Sequence, residues 1–232
     1  MNSILEILTS IGVFLAGLAA RVGIVVLVMV ALLAPVVLVV GAARGFRSVG
    51  LWAMGYRAAA GLRYRFGLWY ASGHSWLRPD GSRLRVGLDD LAQRLLPWAV
   101  AVELPSPGRR VKAGEPVARI SSGGREAVVA SPLSGTVVTV NPAVVAEPTL
   151  LKSDCYGRGW LFAVQPDDES WRKLPTGERA RAWMWAESHR LARFYEHQLG
   201  FAAADGGDLA APPASLLGEA QWKALTQAFL SG

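Results

Sequence analysis

The sequence predicts a mainly β domain, a small antiparallel barrel or sandwich, with an N-terminal transmembrane helix before it and helices after it. Three observations support this prediction. Short β-branched runs alternate with dense turn signals between residues 105 and 140. An uncharged apolar run of 22 residues covers 22–43. After Thr176, apolar residues recur at three- and four-residue spacing, which is the period of a helix.

The N-terminal apolar run is long enough to cross a bilayer. As a helix, residues 22–43 would be about 33 Å long, against a hydrocarbon core of about 30 Å. The apolar core of a signal peptide is only about 7–15 residues long. We therefore expect 22–43 to be a transmembrane helix, which Pro35 kinks. Residues 1–21 are expected to lie at the membrane interface; the alternative is a first crossing by residues 4–20.

Charge sets the expected orientation. Residues 44–110 contain 11 arginines and four acidic residues, whereas Arg21 is the only charged residue between residues 7 and 43. By the positive-inside rule, a single-pass protein of the bacterial inner membrane would then place its C-terminal domain in the cytoplasm. Residues 44–72 would form a basic, aromatic juxtamembrane segment that contacts membrane lipid rather than nucleic acid. The residues predicted for this interface are Arg44, Arg47, Trp52, Arg57, Arg63, Arg65 and Trp69.

A β-hairpin is the clearest local signal in the chain. Two β-branched runs flank residues 122–125, whose central Gly123-Gly124 pair can take the positive φ angles of a two-residue turn. A second turn at 131–135 leads into a strand over 136–140. Upstream, the segment 105–114 supplies two more turns around a short strand. Short strands separated by so many turns are typical of a small barrel or sandwich.

Six segments, in order, resemble the H protein of the glycine cleavage system. They are Gly73-His-Ser-Trp-Leu-Arg-Pro-Asp80, Val86-Gly-Leu-Asp-Asp-Leu-Ala-Gln93, Val102-Glu-Leu-Pro105, Ser131-Pro-Leu-Ser-Gly135, Val140-Asn-Pro142 and Tyr156-Gly-Arg-Gly-Trp-Leu161. The resemblance implies a biotinyl/lipoyl-type barrel-sandwich hybrid over residues 73–166.

The resemblance also locates the functional residue of that family, a hairpin lysine that carries lipoate seven positions before the serine of Ser-Pro. That position is Gly124 here, and the residue three positions earlier, acidic in the family, is Ser121. An amide-linked lipoyl group needs a primary amine, which an arginine guanidinium cannot replace. The chain's lysines all lie outside the hairpin, at Lys112, Lys152, Lys173 and Lys223. We therefore expect an unlipoylated module without a cofactor.

The C-terminal part, 167–232, is predicted to be a helical extension. One helix runs from Thr176 to about residue 199, residues 206–213 form a flexible connection, and a short last helix follows. The last helix is expected to present one apolar face, made by Leu216, Leu217, Trp222, Leu225 and Phe229. The candidate contacts to a protein partner are Gly123, Gly124, Arg125, Trp183 and Trp222.

The sequence offers no catalytic or metal-binding constellation. His189 and His197 lie eight residues apart on one predicted helix, about 12 Å along its axis, which is too far to chelate one metal. The adjacent pairs Asp89-Asp90 and Asp167-Asp168 fit helix caps or solvated turns. The single cysteine, Cys155, lacks an evident basic neighbour that would activate it. We therefore expect a protein that is not an enzyme.

Three functions are consistent with these features. The favoured hypothesis is a membrane-anchored, non-catalytic H-protein-like module that serves as an accessory or scaffold subunit of an inner-membrane complex, of respiratory or photosynthetic type. A second is a lipoyl-type carrier that serves a membrane enzyme, which requires a modified lysine. A third is a periplasmic adaptor of an efflux pump. The direct Gly123-Gly124 connection and the charge bias disfavour the third.

Overall fold

The computed structural model describes residues 15, 17–18, 21–22, 24–25, 27–42, 55–96, 101–199 and 217–231. Residues 1–54 and 55–232 form two compact units. In the first unit, residues 27–42 belong to a helix, α1. Within the described ranges, no helix is both long enough and apolar enough to cross a membrane. The predicted span 22–43 and the predicted interfacial segment 1–21 lie partly outside these ranges, so both stay predictions.

The second unit is built mainly from short antiparallel strands, which confirms the mainly β prediction. The strands are β1 (Tyr56–Ala59), β2 (Leu62–Arg65), β3 (Trp69–Ala71), β4 (Ser75–Asp80), β5 (Arg83–Leu88), β6 (Ala101–Glu103), β7 (Arg110–Val111), β8 (Pro116–Ser122), β9 (Arg125–Ala130), β10 (Gly135–Val140) and β11 (Trp160–Pro166). The helices are α2 (Asp90–Leu95), α3 (Pro142–Ala146), α4 (Leu150–Ser153), α5 (Gly177–Leu199) and α6 (Glu219–Leu230), with a 3-10 turn at Ser170–Lys173.

Three sheets enclose the core. The largest has the strand order β3-β4-β5-β11-β10-β7, a second has the order β6-β8-β9, and β1 pairs with β2. The buried residues of these strands belong to one continuous hydrophobic cluster, whose large members include Trp76, Tyr70, Tyr64 and Phe162.

The domain begins earlier than residue 73, where the sequence placed its start. Strand β3 pairs with β4 inside the largest sheet. Residues 56–65, which the sequence analysis assigned to the juxtamembrane segment, form the β1–β2 hairpin. The reason is the two-residue alternation in Leu62-Arg-Tyr-Arg65, which buries Leu62 and Tyr64 and turns the arginines outward. Arginine and aromatic content alone did not distinguish this strand pattern from a membrane interface.

The hairpin predicted at 122–125 is confirmed. Strands β8 and β9 pair antiparallel with Ser122 opposite Arg125. Gly123 and Gly124 form the turn, with φ angles of +55° and +81°. Positive φ at both central residues matches the right-handed twist of the flanking strands.

The C-terminal helices also follow the prediction. Helix α5 begins at Gly177 and buries Ala180, Met184 and Leu191 on one face. Helix α6 buries Trp222, Leu225 and Phe229, and Leu217 just before it is buried as well. The predicted connection 206–213 and Leu216 lie outside the described residues.

Candidate functional site

The hairpin tip is open to solvent and carries no amine. Gly123 and Gly124 are exposed, and a Cβ atom built at either glycine would meet no heavy atom within 4 Å. Strands β8 and β9 contain no lysine. Of the four lysines elsewhere, Lys152 donates to the Gln93 carbonyl at 2.6 Å, and the other three are exposed. A lipoyl group would therefore have no atom on this hairpin to which it could be joined, so the residues present do not fit that group.

The strand after the tip is covered by the C-terminal helix. Trp222 of α6 is buried, and its indole Nε1 donates to the Glu126 carbonyl of β9 at 2.9 Å. The Arg125 guanidinium donates to the Leu217 carbonyl and lies 5.6 Å from the centre of the Trp222 ring. The hairpin and α6 therefore form one joined surface at this end of the domain.

The predicted partner contacts divide into two groups. Gly123 and Gly124 are exposed at the tip. Arg125 is half-buried and Trp222 is buried against it. Trp183 is half-buried between Tyr70, at 6.0 Å between ring centres, and His74, at 5.1 Å. Both tryptophans thus contribute to packing within the domain.

The predicted membrane-interface residues are only partly described. Arg44, Arg47 and Trp52 lie outside the described ranges. Arg57, which is half-buried, donates to the Tyr56 carbonyl at 2.9 Å. The structure pairs the other three with groups of the fold: Arg63 with the Asp90 carboxylate at 3.4 Å, Arg65 with the Tyr156 carbonyl at 3.2 Å, and Trp69 with the Trp171 ring at 4.9 Å between centres.

A buried ionic cluster at His74 was missed by the sequence reasoning. His74 is fully buried with φ at +52°. Its Nδ1 lies 2.9 Å from the Asp89 carboxylate, and its Nε2 lies 3.2 Å from the Glu187 carboxylate. Asp89 also caps helix α2 by accepting from two backbone amides, as the sequence predicted for this pair of aspartates. No sequence signal links Glu187 to His74, because 113 residues separate them.

The environment of His74 favours its charged form. Burial alone would lower the pKa of His74, but the carboxylates of Asp89 and Glu187 outweigh it and raise that pKa to about 9. Burial likewise acts to raise the pKa of Glu187, whereas His74 and Arg190 outweigh it and lower that pKa. Arg190 contacts Glu187 at 2.6 Å and donates to the Ala228 carbonyl at 3.1 Å. The cluster thus joins the barrel, α5 and the end of α6.

The lone cysteine is protected from reaction. Cys155 is buried, and burial, followed by the charges of Asp90 and Asp89, raises the pKa of its thiol to about 12. Since the thiolate is the reactive form, this thiol is inert at neutral pH. Within the part of the chain that is described, no group of three or more His, Cys, Asp or Glu residues could hold a metal ion.

Comparisons with known proteins agree on one kind of relative. The family model described as Glycine cleavage H-protein matches residues 68–186. The chain is 40% identical over 111 residues to the probable glycine cleavage system H protein of Aeropyrum pernix, which covers 47% of this chain and 78% of that protein. It is 46% identical over 103 residues to the glycine cleavage system H protein of Shewanella sp. (strain ANA-3), which covers 44% of this chain and 79% of that protein.

A solved structure is also similar to part of the chain. The crystal structure of a glycine cleavage system H protein from Mycobacterium marinum covers 52% of this chain and 98% of that chain, with 33% identity and a TM-score of 0.47. The names of the relatives contradict the favoured sequence-based hypothesis. The relatives are named as H proteins of the glycine cleavage system and not as accessory or scaffold subunits of a respiratory or photosynthetic membrane complex. The efflux-adaptor alternative is contradicted by the same names.

Proposed function

The chain belongs to the family of the glycine cleavage H-protein, and from this premise we propose that it is a non-lipoylated member that docks onto the enzymes that recognise H proteins. It would present the H-protein surface to the glycine cleavage system without carrying a reaction intermediate. Its role would be to bind and not to catalyse. The observation that carries the proposal is the intact β8–β9 hairpin with no amine at its tip.

The geometry of the tip supports docking rather than covalent carriage. The two turn glycines take positive φ angles and leave the tip uncrowded, so another backbone can approach closely. Arg125, the first residue after the turn, is held against Trp222 and the Leu217 carbonyl. The tip is therefore narrow and its base is fixed, which suits a shape-based contact.

A competition experiment tests the docking proposal. A lipoylated H protein from the same source is bound to the purified enzymes of the glycine cleavage system, and this chain is added in increasing amounts. We expect displacement, because both proteins would present the same surface. Gly123→Trp, which enlarges the exposed tip, should weaken displacement, whereas Lys223→Gln on the exposed side of α6 should not. Failure of the native chain to compete would refute the docking proposal.

The mass of the intact protein tests the absence of the lipoyl group separately. Protein made in lipoate-competent cells should show no mass increase corresponding to a lipoyl group. Gly124→Lys should be lipoylated poorly, since residue 124 has φ at +81° and a lysine there would adopt a strained left-handed conformation. An adduct on any native lysine would make the chain a carrier and would contradict this proposal.

We also propose that residues 22–43 anchor the protein in a bacterial inner membrane, with residues 55–232 on the cytoplasmic side. The 22-residue uncharged run and the arginines that follow it support this placement. A C-terminal reporter enzyme that is active only in the periplasm should stay silent. A strong signal would contradict the proposed orientation. Recovery of the full chain in the fraction without membranes would contradict the proposed anchor.

A further inference from the structure

Two arginines face each other across the β4–β5 pair. In the antiparallel register, Arg78 of β4 lies directly opposite Arg85 of β5. Like charges at directly opposed positions destabilise a strand pair. The next pair in the register, Asp80 opposite Arg83, supplies one carboxylate. That carboxylate contacts Arg85 at 3.0 Å and Arg83 at 3.3 Å, and Arg78 does not share it.

Neighbouring positive charges act on Arg78 more strongly than neighbouring carboxylates do. Burial, followed by the charges of Arg85 and Arg65, lowers the pKa of Arg78. Asp80 and Asp154 act in the opposite direction but do not cancel these effects. The Asp154 carboxylate already accepts a hydrogen bond from the Arg158 amide at 2.8 Å.

The guanidinium N–H donors of Arg78 have no acceptor in the described part of the chain. Arg78 is half-buried, and the structure gives it no hydrogen-bond acceptor and no ion pair among the described residues. Its recorded contact is the ring of Trp76, 5.8 Å from the guanidinium carbon to the ring centre. Arg85 lies over Trp160 in a similar way, at 5.2 Å. Aromatic rings therefore support both guanidinium groups, and of the two only Arg85 has a carboxylate partner, Asp80.

We propose that Arg78 and Arg85 form a binding site for a phosphate group. The forked guanidinium group binds phosphate and carboxylate in bidentate fashion. A carboxylate has two oxygens, and Asp80 already provides one to Arg85. A phosphate monoester offers three acceptor oxygens and about −1.5 to −2 charges, enough to serve guanidinium groups from two strands at once. Binding would convert the Arg78–Arg85 repulsion into a shared attraction.

The phosphate group has two chemical sources, a soluble phosphate compound or the headgroup of an anionic lipid. The site comes from β4 and β5, whereas the docking proposal rests on the β8–β9 hairpin. The two proposals are therefore independent, and the failure of one leaves the other standing.

The test uses the full chain in uncharged detergent micelles. Thermal unfolding is followed with inorganic phosphate, with sodium chloride at the same ionic strength, and with phosphatidic acid added to the micelles. Phosphate or phosphatidic acid should raise the midpoint of unfolding above the value in chloride. Arg78→Gln should weaken this response roughly tenfold in apparent affinity, because it removes a charge-assisted fork. Arg119→Gln, at an exposed arginine on β8 that pairs with Glu126, is the matched control.

Arg78→Gln also gives a signature that a merely structural arginine would not give. Without phosphate its midpoint should equal or exceed that of the native chain, since the opposed positive charges are gone. Arg78→Lys keeps the charge and loses the fork, so it should lose affinity without that gain. A response to phosphatidic acid alone identifies a lipid headgroup, and a response to inorganic phosphate identifies a soluble source. If neither inorganic phosphate nor phosphatidic acid raises the midpoint above the value in chloride, or if the response is unchanged in Arg78→Gln, the site is overturned.

Discussion

The stability of the folded domain should fall as the pH rises from neutrality to about 9, because His74 loses its proton. The unfolded-state pKa of this histidine is 6.5, and in the fold its pKa is raised to about 9. Between these values the folded state holds a proton that the unfolded state has released. The stabilisation is therefore complete below pH 6.5 and is lost as the pH passes through about 9.

The magnitude follows from the size of the shift. Each pH unit in this window should lower the free energy of unfolding by about 1.4 kcal/mol, and the whole window should remove about 3 kcal/mol. Since His74 is fully buried and both ring nitrogens face carboxylates, solvent screening removes little of this effect. For a domain of ordinary stability, of about 5–15 kcal/mol, this is a large fraction.

The measurement is urea unfolding of the full chain in uncharged detergent, followed by tryptophan fluorescence. Repeating it from pH 6 to pH 9.5 gives the slope of the free energy of unfolding against pH. His74→Gln should abolish the slope up to about pH 8; at higher pH the buried Cys155 thiol, whose pKa is raised to about 12, adds a slope of its own. Glu187→Gln should shift the His74 slope to lower pH, because one of the two carboxylates that retain the proton is gone. His189→Gln is the matched control, since that histidine is exposed and forms no ion pair among the described residues. A slope below about pH 8 that persists in His74→Gln would refute the assignment to this cluster.

Three further predictions concern the barrel, and thermal unfolding checks each. Ser75→Ala should raise stability by up to about 1 kcal/mol, since the Ser75 hydroxyl is buried without a described hydrogen-bond partner; a loss would indicate a missed partner. Gly87→Ala should cost about 1–3 kcal/mol, because its Cβ would lie 2.5 Å from Cζ2 of Trp76; a neutral effect would mean that the indole moves freely. Arg63→Glu should lower the unfolding midpoint because it faces the buried Asp90 carboxylate; an unchanged midpoint would show that this pair is unimportant.

The sequence predicted features that depend on nearby residues. The Gly123-Gly124 turn and the start of α5 each follow from a few adjacent residues, and both are confirmed within a residue. The β1–β2 hairpin was missed because its arginines and aromatic residues also fit a membrane interface. Once Leu62 and Tyr64 are known to be buried, the alternation of that segment is evident.

The His74 cluster and the opposed arginines could not be predicted in this way. His74 meets Asp89 and Glu187 only because β4, α2 and α5 pack together, and no local pattern encodes that meeting. Arg78 and Arg85 lie opposite each other only in this strand register. A shift of one residue would place their side chains on opposite faces of the sheet. Both features are therefore consequences of tertiary structure.

The fold also opposes the restoration of carrier chemistry by a single lysine at residue 124 or 125 of the hairpin. A lysine at residue 124 would need φ near +81°, which costs a non-glycine residue about 1–2 kcal/mol. A lysine at residue 125 avoids that strain but replaces the guanidinium that donates to the Leu217 carbonyl and covers Trp222. Residues 124 and 125 are therefore both already used, one by the turn and the other by the contact with α6. At these two positions the absence of an amine is coupled to the geometry of the tip, as the proposed docking role requires.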